Sequence, residues 1–217
     1  MNNKKIALIV GSLLLLGGFF WLASRYYKAG EVAKYSFMAS ENAATFVPDH
    51  AITMGTDQAK VYLVEFFDPE CEACREFHPF VKLLMKDYEG KIKLVMRYAP
   101  FHGNSVMVVK ILEAARKQGK YWEALDTLYQ HQPEWGSHHH PRPDLIWTYL
   151  PQSGVDVEQI RKDMNDPAFE KIIEQDRADG QKLGVTRTPT FFINGKPLQE
   201  FGPGPLRAAI EAELAAP

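Results

Sequence analysis

Apolar residues along this chain fall into three patterns. The first is an unbroken run from Ile6 to Ala23 with no charged residue in it, preceded by Lys4 and Lys5. It is just long enough to cross a bilayer as a helix, and no polar face marks it as a buried core helix. It also exceeds the apolar core of a usual cleaved signal peptide, and Arg25, Tyr26 and Tyr27 deny it a small-x-small cleavage site. Residues 1–24 therefore read as an uncleaved signal anchor, with removal as a signal peptide the alternative. Lys4 and Lys5 favour a cytoplasmic N-terminus, but Arg25, Lys28 and Lys34 on the other flank leave the charge rule undecided. Residues 25–46 are mixed and aperiodic and read as a tether.

From Val47 onward two other patterns alternate. Val61 to Phe67 is a short, β-rich apolar run, which predicts a buried central strand. Cys71 to about Tyr88 has helical spacing. Lys91 to Tyr98, with Ile92, Leu94 and Met96 alternating, predicts a second strand. Strand, helix, strand in that order implies a right-handed βαβ unit with parallel strands. The middle of the chain is helical. Asn104 or Ser105 can cap a helix to Gln118 with Gly119 as its stop, and a second helix runs from Lys120 to about His131. Trp122, Leu125 and Tyr129 share a face of it and read as core. Asp156 with Gln159 resembles a capping box, and Asp166 before Pro167 caps a helix that ends near Gly184. Thr190 to Ile193, Asn194-Gly195 and Lys196 to Gln199 carry the strongest hairpin signal in the chain. Gly202-Pro-Gly-Pro205 then leads into a final amphipathic helix ending near Leu214. The order is βαβ, a helical block, then ββα.

Composition narrows the chemistry. The 217 residues are 46% hydrophobic and 24% charged, as in a globular protein, and the net charge of −2 leaves no basic surplus for nucleic acid. There are only two cysteines, Cys71 and Cys74, one helical turn apart. A secreted domain stapled by disulfides carries more, spread wider, so this pair points to chemistry rather than scaffolding. At the start of a helix the unpaired backbone N–H groups and the helix dipole stabilise a thiolate. Cys71 is thus the candidate nucleophile, and Cys74, one turn inside, the resolving thiol of a mixed disulfide. Glu72 between them, with Glu70 and Glu76 close in sequence, is expected to oppose the thiolate and moderate its oxidising power.

Zinc would need two further ligands. His78 could supply one, but a second C-x-x-C or a spaced His pair is missing. Arg75 stands where covalent haem attachment needs a histidine. His138-His139-His140 sits in a Pro-rich loop without a cysteine or carboxylate cluster beside it and reads as exposed loop. No metal and no cofactor is therefore expected. His78 itself reads as a helix-surface residue or one packed near the site.

The segment Glu65-Phe-Phe-Asp-Pro-Glu-Cys71-Glu-Ala-Cys74-Arg-Glu-Phe-His78-Pro79 resembles the active-site segment of DsbA-like disulfide oxidoreductases of the thioredoxin superfamily. Glu65 falls where these proteins carry a buried acid, Pro79 where many kink the active-site helix, and Thr188-Pro189 at their cis-proline loop. Lys120-Tyr-Trp122-Glu resembles part of their inserted helices. The resemblance covers roughly residues 47–215. It implies an α/β, thioredoxin-like domain over 47–217 with a helical insertion at about 103–183, preceded by the transmembrane helix. It also implies that Thr188 and Pro189 present backbone to an incoming peptide. Glu65, in an apolar strand, should have a raised pKa and exchange protons with Cys74.

The expected activity is disulfide formation in exported proteins outside the cytoplasmic membrane, by a monomer re-oxidised by a quinone-linked membrane partner. The alternatives are a reductase or isomerase, or a non-catalytic peptide-binding chaperone on the same fold. The tether is too short for the dimerising domain of the family's isomerases, although Thr188 before the proline also occurs in isomerase-type relatives.

Overall fold

A computed structural model describes residues 15–26, 43–137 and 139–216. Residues 15–26 are helical (α1). Among the described residues no helix is long and apolar enough to cross a membrane. The expected anchor over 6–23 therefore has no membrane-length helix to support it, and the part of it before residue 15 lies outside the described residues. So do residues 27–42 of the expected tether. Its end is not a tether at all: Ala43–Phe46 forms a helical turn (α2), and Phe46 is buried, with its ring edge-on to Phe192 at 5.2 Å between centroids. Burial of this large apolar ring offsets part of the entropy the chain loses in ordering the turn.

The sheet has five strands in the order β1-β3-β2-β4-β5. They are β1 (Ile52–Met54), β2 (Val61–Phe67), β3 (Ile92–Tyr98), β4 (Thr190–Ile193) and β5 (Lys196–Pro197). β2 and β3 are parallel, joined by α3 (Glu72–Asp87), as the βαβ reading requires. β4 is antiparallel to β2, and β1 is antiparallel to β3. Three-residue β1 has too few positions to show an alternating pattern, so only the structure reveals it. β5 is also shorter than the hairpin pattern predicts. The Asn194-Gly195 turn takes positive φ at both residues, 47° and 78°, the geometry this dipeptide tolerates best. Asn194 Oδ1 also accepts the Tyr62 N–H at 2.8 Å, which ties the turn to β2.

β2 is buried on both faces, which is why it reads as a continuous apolar run. Leu63, Glu65 and Phe67 alternate with Val64 and Phe66. Leu63 and Phe67 belong to the larger core, with α3 and the helical block. Val64 and Phe66 join Phe46, Val95, Leu183, Val185 and Phe192 in a smaller one. The helical block comprises α4 (Ser105–Lys117), α5 (Tyr121–Gln130), α6 (Gln132–Trp135), α7 (Ile146–Tyr149), α8 (Val157–Asp163) and α9 (Pro167–Lys182). Asp156 and Asp166 cap α8 and α9, accepting the Gln159 and Ala168 N–H groups at 3.0 and 2.9 Å. α9 is pinned to β3 by Arg97, fully buried, whose guanidinium bonds Asp176 and Asp179 at 2.8 Å each. A buried guanidinium persists only when paired in this way. The chain closes with α10 (Pro203–Ala215).

Candidate redox site

The site forms where β2 hands over to α3. Cys71 is the N-cap of α3 in extended conformation, its side chain making no cap bond of its own. Its sulfur nonetheless interacts with the first-turn N–H groups of Ala73 and Cys74. Cys71 is buried but for a sliver of surface (8% exposed), whereas Cys74 has none (0%). Across from them the loop between α9 and β4 contributes Thr188–Pro189, a cis peptide. The Cys71 thiol lies 3.4 Å from the Thr188 carbonyl oxygen, to which it donates. Glu65, two residues before the end of β2, is buried beneath α3. All five residues expected at the site thus belong to one neighbourhood: Cys71, Cys74 and Glu65 interact electrostatically, and Thr188–Pro189 adjoins Cys71.

Their protonation follows from the surroundings. The Cys71 pKa falls to about 6. The Cys74 hydrogen bond is the main cause; burial works against it, and the Thr188 side chain and the N–H groups of Cys74 and Ala73 assist. Cys74 is pushed well up, first by burial and then by its hydrogen bond to Cys71 and that residue's charge. Glu65 is raised to about 8, by burial first and the Cys71 charge second. Near pH 7 the site therefore holds a thiolate, a thiol and a protonated carboxyl. Glu72 does not hold Cys71 up as expected: it is exposed to solvent, which screens it, and the Glu70 carboxylate is turned away onto Asn104. Alkylation of the reduced protein by iodoacetamide should accordingly follow a single ionisation near pH 6. Thr188→Val should move that midpoint up by about one pH unit, as loss of a hydrogen bond to a charged group of about 1.5 kcal/mol requires. A midpoint near 8.5 in the parent protein would contradict this electrostatic picture.

Three supporting groups escaped the sequence reading. Buried Asp68 accepts the Glu70, Phe101 and His102 N–H groups at 2.8, 2.6 and 3.1 Å, and also bonds His102 Nδ1 and the Ser105 hydroxyl. Glu70 accepts both the N–H and the side-chain amide of Asn104, at 2.8 and 2.7 Å. Gln132, opening α6, donates to the Pro69 and Cys71 carbonyls at 2.9 and 3.1 Å. Acids flanking a proline at the end of an apolar strand are a local signal for loop bonding, but apart from the Glu70 N–H the partners of Asp68 and Glu70 lie more than thirty residues away. His102 has a raised pKa: burial lowers it, and the Asp68 hydrogen bond and charge, with the charges of Cys71 and Glu70, outweigh that. Of the histidine run, His139 and His140 are exposed and His138 lies outside the described residues. A groove of about 210 Å³ opens beside the cis peptide, lined by Arg187, Pro189, Thr190, Leu198 and Phe201 among others.

The family model described as thioredoxin matches residues 48–212. The probable disulfide bond formation protein D of Bacillus cereus is 32% identical over 174 residues, 75% of this chain and 78% of that protein. The Na(+)/H(+) antiporter NhaA 3 of Salinispora tropica is 30% identical over 226 residues, all of this chain but 33% of that protein. This chain thus spans a third or less of the antiporter relatives it matches. The crystal structure of a thioredoxin-like oxidoreductase from Silicibacter pomeroyi superposes with a TM-score of 0.70 at 29% identity, covering 81% of this chain and 99% of that one. With the fold, the paired cysteines and these relatives in agreement, the chain belongs to the thioredoxin family, in its branch of DsbA-like thiol–disulfide oxidoreductases.

Proposed function

We propose that this chain forms disulfide bonds in exported proteins, outside the cytoplasmic membrane. The observation that carries the reading is the division of labour between the cysteines: one touches solvent with a pKa near 6, the other is buried and protonated. A substrate thiolate attacks Cys71 in the Cys71–Cys74 disulfide, forming a mixed disulfide and releasing Cys74 as thiolate. Glu65, protonated near neutrality, gives Cys74 its proton. A second substrate thiolate then attacks the substrate sulfur and expels Cys71, which leaves readily because its thiolate is stable. The substrate loses two electrons and gains a disulfide; the enzyme is left as dithiol, for a quinone-linked membrane partner to re-oxidise. Thr188 and Pro189, beside the groove, hold the substrate backbone as an added strand. The name of the Bacillus cereus relative supports this direction.

The test is the in-cell redox state of Cys71 and Cys74 by thiol trapping, with refolding of a reduced, disulfide-dependent protein in vitro. A resting disulfide and accelerated refolding are expected. A resting dithiol that reduces insulin would mean a reductase or isomerase, and inactivity in both assays a peptide-binding module.

The chain is further proposed to be tethered through residues 6–23. In support, Leu15, Leu16, Phe19, Phe20 and Trp21 on α1 are all exposed, a density of bare apolar surface that favours lipid over water. The protein should sediment with membranes and keep its N-terminus. A soluble form starting after residue 24 would show cleavage instead.

A further inference from the structure

Buried Glu65, if it exchanges a proton with Cys74 in every cycle, must also exchange one with solvent. Only 2% of it is exposed. One opening beside it is a cavity of about 50 Å³. A water needs roughly 10–15 Å³ measured this way, so the space accommodates more than one. Most of its wall is apolar, from residues such as Met85, Leu94, Met96 and Trp122. Its titratable lining groups are Glu65, His78, Lys82 and Asp126. Side-chain exposure rises outward among the last three, from 11% at His78 to 43% at Asp126 and 52% at Lys82.

His78 stands between the buried acid and this charged rim. It lies one turn beyond Cys74 on α3, on the same face. Its Nε2 is 2.6 Å from Asp126 Oδ1, and the Lys82 ammonium is 2.6 Å from Asp126 Oδ2. The geometry points to His78, paired with Asp126, as the proton exit of Glu65: cavity water links the carboxyl to the imidazole, which exchanges with solvent at the Asp126–Lys82 rim. The inference rests on the proton-transfer role proposed for Glu65. Each half-cycle moves one proton, inward when Cys74 is protonated and outward when it is deprotonated, with no other group consumed.

The groups facing His78 are Asp126 and Tyr129 from α5, Lys82 from its own helix, and Glu65 across the cavity from β2. Burial, aided by Lys82, draws its pKa below the ordinary imidazole value against the pull of Asp126. The ring is therefore neutral near pH 7 and ready to accept a proton. His78 acts through Glu65 and touches no sulfur in this scheme.

The experiment follows resolution of the Cys71–glutathione mixed disulfide by Cys74 in stopped flow, at low buffer concentration, for the full chain. His78→Gly and His78→Gln should slow it roughly tenfold, a modest share of what acid–base groups contribute. The alkylation midpoint of Cys71 should not move. Added imidazole should restore the rate of His78→Gly in proportion to its concentration and leave the parent protein unchanged. His78→Gln, close to histidine in size, guards against a packing effect. Wild-type rates in both variants, or a loss that imidazole does not repair, would overturn the relay. Glu65→Gln run alongside separates the causes: slow Glu65→Gln with fast His78 variants sinks the exit alone, and fast rates in all three sink the Glu65 role as well.

Discussion

Given a protein disulfide, the Cys74→Ser variant should accumulate a covalent adduct through Cys71 that persists until an external thiol is added. Cys71→Ser should form none, and its exchange should fall to the uncatalysed background. At pH 7 a thiol with a pKa near 6 is roughly nine-tenths thiolate, whereas one held above its ordinary value is almost wholly protonated. Access runs the same way, because Cys71 alone reaches the surface beside Thr188. Attack by Cys71 on a disulfide forms the mixed disulfide and releases one substrate thiolate. Without the Cys74 sulfur no internal nucleophile can expel the second. Non-reducing electrophoresis with mass determination reads the adduct directly. Adducts on Cys71→Ser and none on Cys74→Ser would reverse the roles.

Replacing Glu65 by leucine should stabilise the protein while crippling it. The carboxyl ionises near 8 in the folded state against an ordinary 4.5. Below pH 4.5 folded and unfolded forms are both protonated, and its ionisation leaves stability untouched. Between about 4.5 and 8 the unfolded state ionises while the folded state does not, so stability falls as pH rises; above 8 the loss is constant. At about 1.4 kcal/mol for each pH unit separating the two ionisations, the full loss is on the order of 5 kcal/mol. Glu65→Leu should recover most of it at pH 8.5 and little at pH 4.5. The oxidised protein, lacking the Cys71 charge, should show a smaller gain. Urea unfolding at the two pH values measures this, and equal differences at both would place the carboxyl in a watery site instead. Glu65→Gln, nearly isosteric, should slow Cys74 resolution more than the first Cys71 attack. A site kept at the expense of stability is the pattern expected where a buried group has chemistry to perform.

What was legible in the chain was local. β2 shows itself as a continuous apolar run, α3 and β3 carry their own periodicity, and Asp156 and Asp166 announce the helices they cap within three residues. The cysteine pair declares itself by spacing, and the cis peptide by the resemblance around Thr188-Pro189. What stayed hidden depends on distance along the chain. Gln132 falls just past the helix expected to end near His131, and nothing local marks it until the fold sets its amide on the Cys71 carbonyl. Arg97 reads as the polar member of a strand, yet it is fully buried because Asp176 and Asp179, about eighty residues on, arrive to neutralise it. Glu72 shows the converse error: sequence proximity to Cys71 implied an influence that solvent exposure weakens and the Cys74 hydrogen bond outweighs.

The Asp68 and Glu70 bonds have a consequence for anyone recombining these proteins. The helical block looks like a cassette slotted between two halves of a sheet. Its first residues, Phe101 to Ser105, are nonetheless fastened to the loop that carries Cys71. A chimera that exchanges the block but keeps this chain's 68–70 would retain the backbone donors yet lose those of the His102, Asn104 and Ser105 side chains, orphaning acceptor positions on two buried carboxylates. Each such orphan costs on the order of 1–3 kcal/mol. Successful grafts should be those whose junctions transfer 68–74 and 100–105 together, a unit of inheritance that crosses the visible boundary between strand-and-helix frame and insert.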